Sequence, residues 1–230
     1  MLYITGDMHR DFSRIYDLCN TQPFTPERDA LIILGDVALN YYEDGRDVAV
    51  KKIVSRFPLT LLCIHGNHEM RPEGIPSYEE SIWCGGAVYV EEACPNLLFA
   101  KDGEIFELDG IKAIAIGGAY SVDKYYRLAR GHRWFEDEQP SEEIRERVEK
   151  RLASVDWRID TVLSHTCPLK YEPTEVFISG IDQSTVDKST ERWLDSVESK
   201  LTYNRWFCGH YHTEKRIDKL QFLYHGIQKF

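Results

Sequence analysis

The stretch Leu2-Tyr3-Ile4-Thr5-Gly6-Asp7-Met8-His9 decides how this 230-residue chain is read. A short run of strand-formers meets a glycine, and a carboxylate and an imidazole follow two positions apart. Gly-Asp is ordinary turn chemistry, so one such end says little. The ending recurs, however. Ala30-Leu31-Ile32-Ile33-Leu34 stops at Gly35-Asp36, and Leu61-Leu62-Cys63-Ile64-His65 stops at Gly66-Asn67-His68-Glu69. Val162-Leu163-Ser164 stops at His165, and Trp206-Phe207-Cys208 at Gly209-His210-Tyr211-His212. In open α/β sheets ligands bind outside the carboxyl ends of strands, so these five ends can converge on one site.

The segments between them support such a sheet. Phe12, Ile15, Tyr16 and Cys19 have helical spacing, and Gly45 to Arg56 is helical by pattern. Strand, helix, strand, helix, strand at this spacing predicts parallel βαβ units. Further on, Gly85–Glu92, Asn96–Ala100, Glu104–Gly110 and Ile111–Ala119 are short strand-like pieces separated by Asp-Gly or Gly-Gly, which predicts hairpins and an antiparallel portion. Tyr120 to Pro140 is a polar, aromatic-rich insert. Ser141 opens a helix as its N-cap, with glutamates in the first turn. Leu169 to Ser184 reads as a loop, Lys188 to Leu201 as an amphipathic helix, and two short strands close the chain. No repeat, low-complexity tract or linker interrupts it, so a single domain over residues 1–230 is expected.

Composition narrows the function. With 43% hydrophobic residues the chain can bury one sizeable core. No apolar run approaches the roughly 20 residues of a membrane span, and no basic leader precedes the first strand, so a cytoplasmic protein is expected. The six cysteines form no C-x-x-C pair; they read as buried thiols in a reducing compartment, not as disulfides or a zinc ribbon. A formal charge of −10 argues against broad non-specific nucleic-acid binding. It leaves an anionic substrate open, because bound divalent cations reverse the local field.

The residue types at the five ends specify chemistry. Asp7, His9, Asp36, Asn67, His68, His165, His210 and His212 are imidazoles and carboxylates with one amide oxygen. That set suits Mn, with Fe, Zn or Ni as further candidates, and the absence of cysteine argues against a structural thiolate zinc site. Without His68 the donors are too many for one ion and suit two ions sharing a carboxylate. Two metals about 3.5–4 Å apart clamp the attacking and leaving oxygens of a displacement at phosphorus. His68 reads as a catalytic group, a further ligand or a turn residue.

GD-x-H, GD, GNHE, a strand-end histidine and GH-x-H, in this order from Asp7 to His212, resemble the calcineurin-like metallophosphoesterase superfamily. The resemblance implies an α/β fold, a four-layer α/β/β/α sandwich of two mixed sheets with a dinuclear site at the strand ends. It implies that Asp7, His9 and His212 hold one metal, that Asn67, His165 and His210 hold the other, and that Asp36 bridges. It also implies a bridging hydroxide as nucleophile, with His68 contacting the phosphate or protonating the leaving group, and phosphate mono- or diesters as substrates. The protein phosphatases of this superfamily continue their second motif as GD-x-x-DRG, whereas this chain has Leu39 and Asn40 at the acidic and arginine positions. A close Ser/Thr-phosphatase equivalent is therefore the alternative reading, as is a catalytically silent binding module.

The insert also resembles the GGA-x-S-x-DK-x-x-R…W-x-x-E stretch of uncharacterised bacterial and phage members. Its cations, Lys124, Arg127, Arg130 and Arg133, predict a wall or lid over the metals at about 120–140, with Arg127 or Arg130 binding a phosphate oxygen. The competing expectation pairs these cations with Glu136, Asp137 and Glu138. His65, His132 and His225 are expected to be structural.

Overall fold

The computed structural model describes residues 1–230. Strands β1 (Leu2–Thr5), β2 (Ala30–Ile33) and β3 (Thr60–Cys63) pair in parallel, with helices α1 (Ser13–Thr21) and α2 (Gly45–Val54) as the crossovers. β3 continues in parallel to β6 (Leu97–Ala100), which pairs antiparallel with β5 (Gly86–Val90), and β5 pairs antiparallel with the edge strand β4 (Glu79–Trp83). The C-terminal β13 (Gln228–Lys229) closes the other edge beside β1, completing seven strands in the order β13-β1-β2-β3-β6-β5-β4.

A second sheet holds β7 (Ile105–Leu108), β8 (Ile111–Ile116), β9 (Thr161–Ser164), β10 (Arg205–Cys208), β11 (Lys215–Ile217) and β12 (Leu220–Phe222). Its order is β11-β12-β10-β9-β8-β7, with β8, β9, β10 and β12 parallel and a hairpin at each edge. Both sheets are therefore mixed.

The period-2 alternation of the strands sorts the core into three layers. On the first sheet Leu31, Ile33, Leu61 and Cys63 pack outward against Ile15 of α1 and Val54 of α2. Ile32, Leu34, Leu62 and Ile64 face the other way and meet Ala113, Ala115, Leu163 and Phe207 of the second sheet. Val162, Trp206 and Cys208 then point outward, under α4 (Glu142–Ala153) and α5 (Ser189–Lys200). Helix, sheet, sheet, helix is the result. Each fully buried Leu, Ile or Phe stabilises it by about 1.5–3 kcal/mol.

Ser141 caps α4 as expected, its hydroxyl accepting from the Ile144 N–H at 3.3 Å. Two elements depart from the sequence reading. The insert contains a short helix α3 (Lys124–Arg130), ended by Gly131 at φ +69°. None of its residues is buried, so no apolar period announced it. β4 is an edge strand whose first four residues are exposed, and it too lacked a pattern. Cys63, Cys94, Cys167 and Cys208 are buried free thiols, but Cys84 is exposed in the turn before β5. No helix is long and apolar enough to cross a membrane.

Candidate metal centre and its cleft

Each parallel strand β1, β2, β3, β9 and β10 ends in a turn that brings polar atoms to one place. Several of these turn residues are left-handed: His9 (φ +44°), Asp36 (+48°), His210 (+67°) and His212 (+49°). Such conformations cost on the order of 1–3 kcal/mol each and persist where the surroundings over-determine them. The turn glycines make room for the polar atoms. Gly35, at φ +108°, lies against the His165 ring, and a Cβ on Gly209 would meet the Asp7 carboxylate. Gly209 has no positive φ, so Gly209→Ala tests the close approach to Asp7 and to the Leu34 carbonyl without backbone strain. We expect the variant to fold, to lose bound metal and to lose turnover together; retention of both would sink the packing argument.

Two compact sets of donor atoms form, Asp7–His9–His212 and Asp7–Asp36–His165, the atoms of each within 4.8 Å of one another. In the first, His9 Nε2 and His212 Nε2 are 2.8 Å apart, and Asp7 Oδ2 is 3.2 Å from the His212 nitrogen. Asp7 is common to both sets, and Asp36 of the second also approaches the first: its Oδ2 is 3.9 Å from His9 Nε2, and its Oδ1 is 3.6 Å from His165 Nε2. Asn67 joins the second set through His165 Nε2, 2.8 Å from its Oδ1. His210 packs its ring edge-on against His165, centroids 5.0 Å apart, and its backbone N–H donates to Asp7 Oδ1 at 2.9 Å.

The chemistry of these atoms fits a cation. His165 Nδ1 is 2.7 Å from the Leu34 carbonyl, so the proton sits there and Nε2 is left an acceptor. The Asn67 amide donates to Ser121 Oγ at 2.9 Å, so the oxygen facing His165 is also an acceptor. In the neutral His165 ring the two facing atoms are both acceptors, and a positive ion shared between them would satisfy both. Asp7 Oδ2 is buried with only the imidazole nitrogens of His212 and His9 near it, at 3.2 and 3.7 Å, a cluster of donor atoms that a cation in the first set would hold together.

Charge states agree. Burial alone would raise the Asp7 carboxyl, but the His212 hydrogen bond and the nearby His165 outweigh it and hold it below its usual range. Burial is outweighed at Asp36 as well, by His68, His165 and His9, and that carboxyl is held low. His212 is raised, first by its hydrogen bond to Asp7. Withdrawal from water pushes His210 down to about 3, which keeps a lone pair available at neutral pH.

Several supports had no signal in the sequence. Glu69, fully buried, accepts the N–H groups of Val37 and Leu39 at 3.2 and 3.3 Å and so shapes the turn carrying Asp36. Its burial, with Asp36 close by, raises its carboxyl to about 8. It stands inside the GNHE motif, which was the one hint available. The Arg14 guanidinium ties together the carbonyls of Gly6, Asp7 and Tyr224. Ser121, which orients Asn67, is itself held by Glu138. His132 and His225 are exposed, while His65 is buried with neither ring nitrogen bonded.

The centre opens into a cleft of about 490 Å³. Tyr120, Val122, Asp123 and Arg127 of the insert line one side of the cleft. Arg127 Nη2 is 3.4 Å from His68 Nε2, and Asp123 holds Arg127 Nε at 2.8 Å. Arg130 does not reach the cleft: it is exposed, its guanidinium 5.5 Å over the Tyr126 ring, because the helix turns it away. The expected pairing with Glu136, Asp137 and Glu138 is also not found. Arg133 pairs with Glu43, Lys124 lies 3.8 Å over Trp134, and Asp137 accepts from Arg71. The opposite wall is the segment from Glu172 to Glu191, which the sequence reading left as a loop and the start of a helix.

The calcineurin-like phosphoesterase family profile matches residues 2–214, and the chain belongs to that family. At that level it is a metal-dependent phosphoesterase, with the two donor sets as its candidate metal-binding groups. Solved structures similar to it include phosphopantetheinyl hydrolase from Mycobacterium tuberculosis, at 13% identity and TM-score 0.45, covering 97% of this chain and 87% of that one. A protein serine/threonine phosphatase from Saccharomyces cerevisiae is similar at 15% identity and TM-score 0.32, over 97% and 66%. A sulfate thiohydrolase from Thermus thermophilus is similar at 12% and 0.36, over 96% and 38%. No curated protein sequence matches the chain.

Proposed function

We propose that the chain hydrolyses phosphate mono- or diesters, using two divalent ions held at the strand ends. Asp7, His9 and His212 would hold one ion, Asn67, His165 and His210 the other, and Asp36 both. The observation that carries this reading is the facing pair of acceptors, His165 Nε2 and Asn67 Oδ1, beside a second set built on Asp7. Two such ions supply a water activated at neutral pH and positive charge for the phosphoryl oxygens. Mn is the first ion to try for this nitrogen and oxygen set, then Fe, Zn and Ni.

The chain's own groups do the rest. His68 Nε2 lies 3.7 Å from Asp36 Oδ2 on the cleft side, where it can protonate a leaving oxygen or contact the phosphate. Arg127, aimed by Asp123, presents a cation beside it for a phosphate oxygen. Leu39 is buried in the outer core and the Asn40 side chain accepts from Tyr78 OH at 2.9 Å, so neither serves His68. That favours a general phosphoesterase over the protein-phosphatase alternative.

Metal analysis after reconstitution with Mn should approach two equivalents, and aryl phosphate mono- or diesters should turn over until the ions are chelated. A plateau at one equivalent would overturn the dinuclear assignment; full loading without turnover of any ester would favour a silent binding module. Within the insert, Arg127→Ala should lower kcat/KM by about tenfold or more with metal content intact, as expected for a lost charged hydrogen bond. Arg130→Ala should match wild type. The reverse order would reassign the phosphate contact.

A further inference from the structure

Beyond the reacting atoms, the cleft is built unlike a polyanion site. Val176, Phe177, Ile178, Ile181 and Val186 form its far wall, and Ile178 is 62% exposed in the free protein. Phe177 stacks on Tyr211 with rings 16° apart and centroids at 6.2 Å. Outside the metal centre Lys188 is paired with Glu172 at 2.7 Å, and Arg127, tied through Nε to Asp123 at 2.8 Å, has only its Nη groups to offer, beside His68 where the reacting phosphate would lie. Asp187 and Glu191 line the same cleft, and neither forms an ion pair.

Glu191 is the decisive residue. It is 3% exposed; Oε1 accepts from Thr166 Oγ1 at 2.8 Å, and Oε2 has no partner. Thr166 follows His165 and is 3.3 Å from the hydroxyl of Tyr211, which follows His210. Glu191 is thus linked through Thr166 to the residues that follow the proposed metal-holding His165 and His210, and it lines the same cleft as the apolar wall. A buried acceptor left unpaired is costly unless a donor reaches it.

We propose that the cleft binds the organic part of the ester, and that this part is an apolar chain or ring carrying a hydrogen-bond donor, amide N–H or ammonium, that satisfies Glu191. A second anionic group would find Lys188 already held by Glu172 and would lie beside Asp187, which has no cation partner, so nucleoside di- and triphosphates are disfavoured. The proposal rests on the phosphoesterase reading and adds the substrate class.

The test uses the Mn-loaded protein and matched alkyl phosphates: an N-acyl-aminoalkyl phosphate, its ester isostere lacking the N–H, and an aminoalkyl phosphate, each in several chain lengths. 4-Nitrophenyl phosphate is the reference substrate. At the best length the amide or the ammonium compound should exceed the ester isostere in kcat/KM by about tenfold or more. Which of the two leads tells a neutral donor from a charged one. Glu191→Gln should shrink that ratio, mainly through KM, while Ile178→Ser, at an exposed position, should raise KM for the longer chains. Turnover of 4-nitrophenyl phosphate with no preference for a donor over the ester would overturn the cleft proposal and leave the phosphoesterase reading standing. No turnover of any ester, the reference included, would overturn both.

Discussion

Asp36→Ala should empty both metal positions and lower kcat by about 10³-fold or more, since metal catalysis supplies several kcal/mol at about 1.4 kcal/mol per decade. The reason is geometric. The Asp36 carboxylate is 3.9 Å from His9 in one donor set and 3.6 Å from His165 in the other. It also accepts the His68 N–H at 2.9 Å, so its loss frees the turn that carries His68. Asp36→Asn keeps that hydrogen bond and removes only the charge, and it should lose metal while the fold survives. Asp7→Ala is the necessary comparison, because Asp7, and not Asp36, belongs to both compact sets. If Asp7→Ala empties both positions and Asp36→Ala only one, the shared carboxylate is Asp7 and the assignment is reversed.

The second large effect separates catalysis from metal binding. His68→Ala should keep both metals and lose about 10²–10⁴-fold in turnover of an alkyl phosphate, the range of general acid catalysis. Nitrophenolate leaves with little protonation, so the same variant should lose much less on 4-nitrophenyl phosphate. Equal losses on both would assign His68 to holding phosphate charge instead, a role its neighbour Arg127 at 3.4 Å would share. A drop in metal content would make His68 a ligand.

Much of this was legible in the order of residues. Strand ends are local: an apolar run that stops at glycine and offers Asp, Asn or His can be read without knowing where the chain goes next. The strand and helix pattern by itself predicted parallel βαβ units, and the four layers came from the family resemblance. The structure supplies the reason, because Leu31, Ile32, Ile33 and Leu34 alternate between two different cores and such a strand needs cover on both faces. The full meaning of the motif glycines was not local: only the fold shows that a residue without Cβ is needed to clear the His165 ring at Gly35.

Tertiary structure alone decided the supports and the selectivity. Arg14 reaches Tyr224, 210 positions away, and Ser121 reaches Asn67 across 54. Such partners carry no local pattern, because a polar side chain's role is set by which distant backbone it meets. Arg127 and Arg130 are three residues apart on a helix with no buried residue, and sequence ranked them equally. Only the packing of α3 beside the centre aims one at His68 and leaves the other over Tyr126. The same holds for Glu191: by pattern an ordinary acid in the first turn of α5, it is shut away from water and left with one oxygen unpaired because α5 is packed with that turn against Thr166.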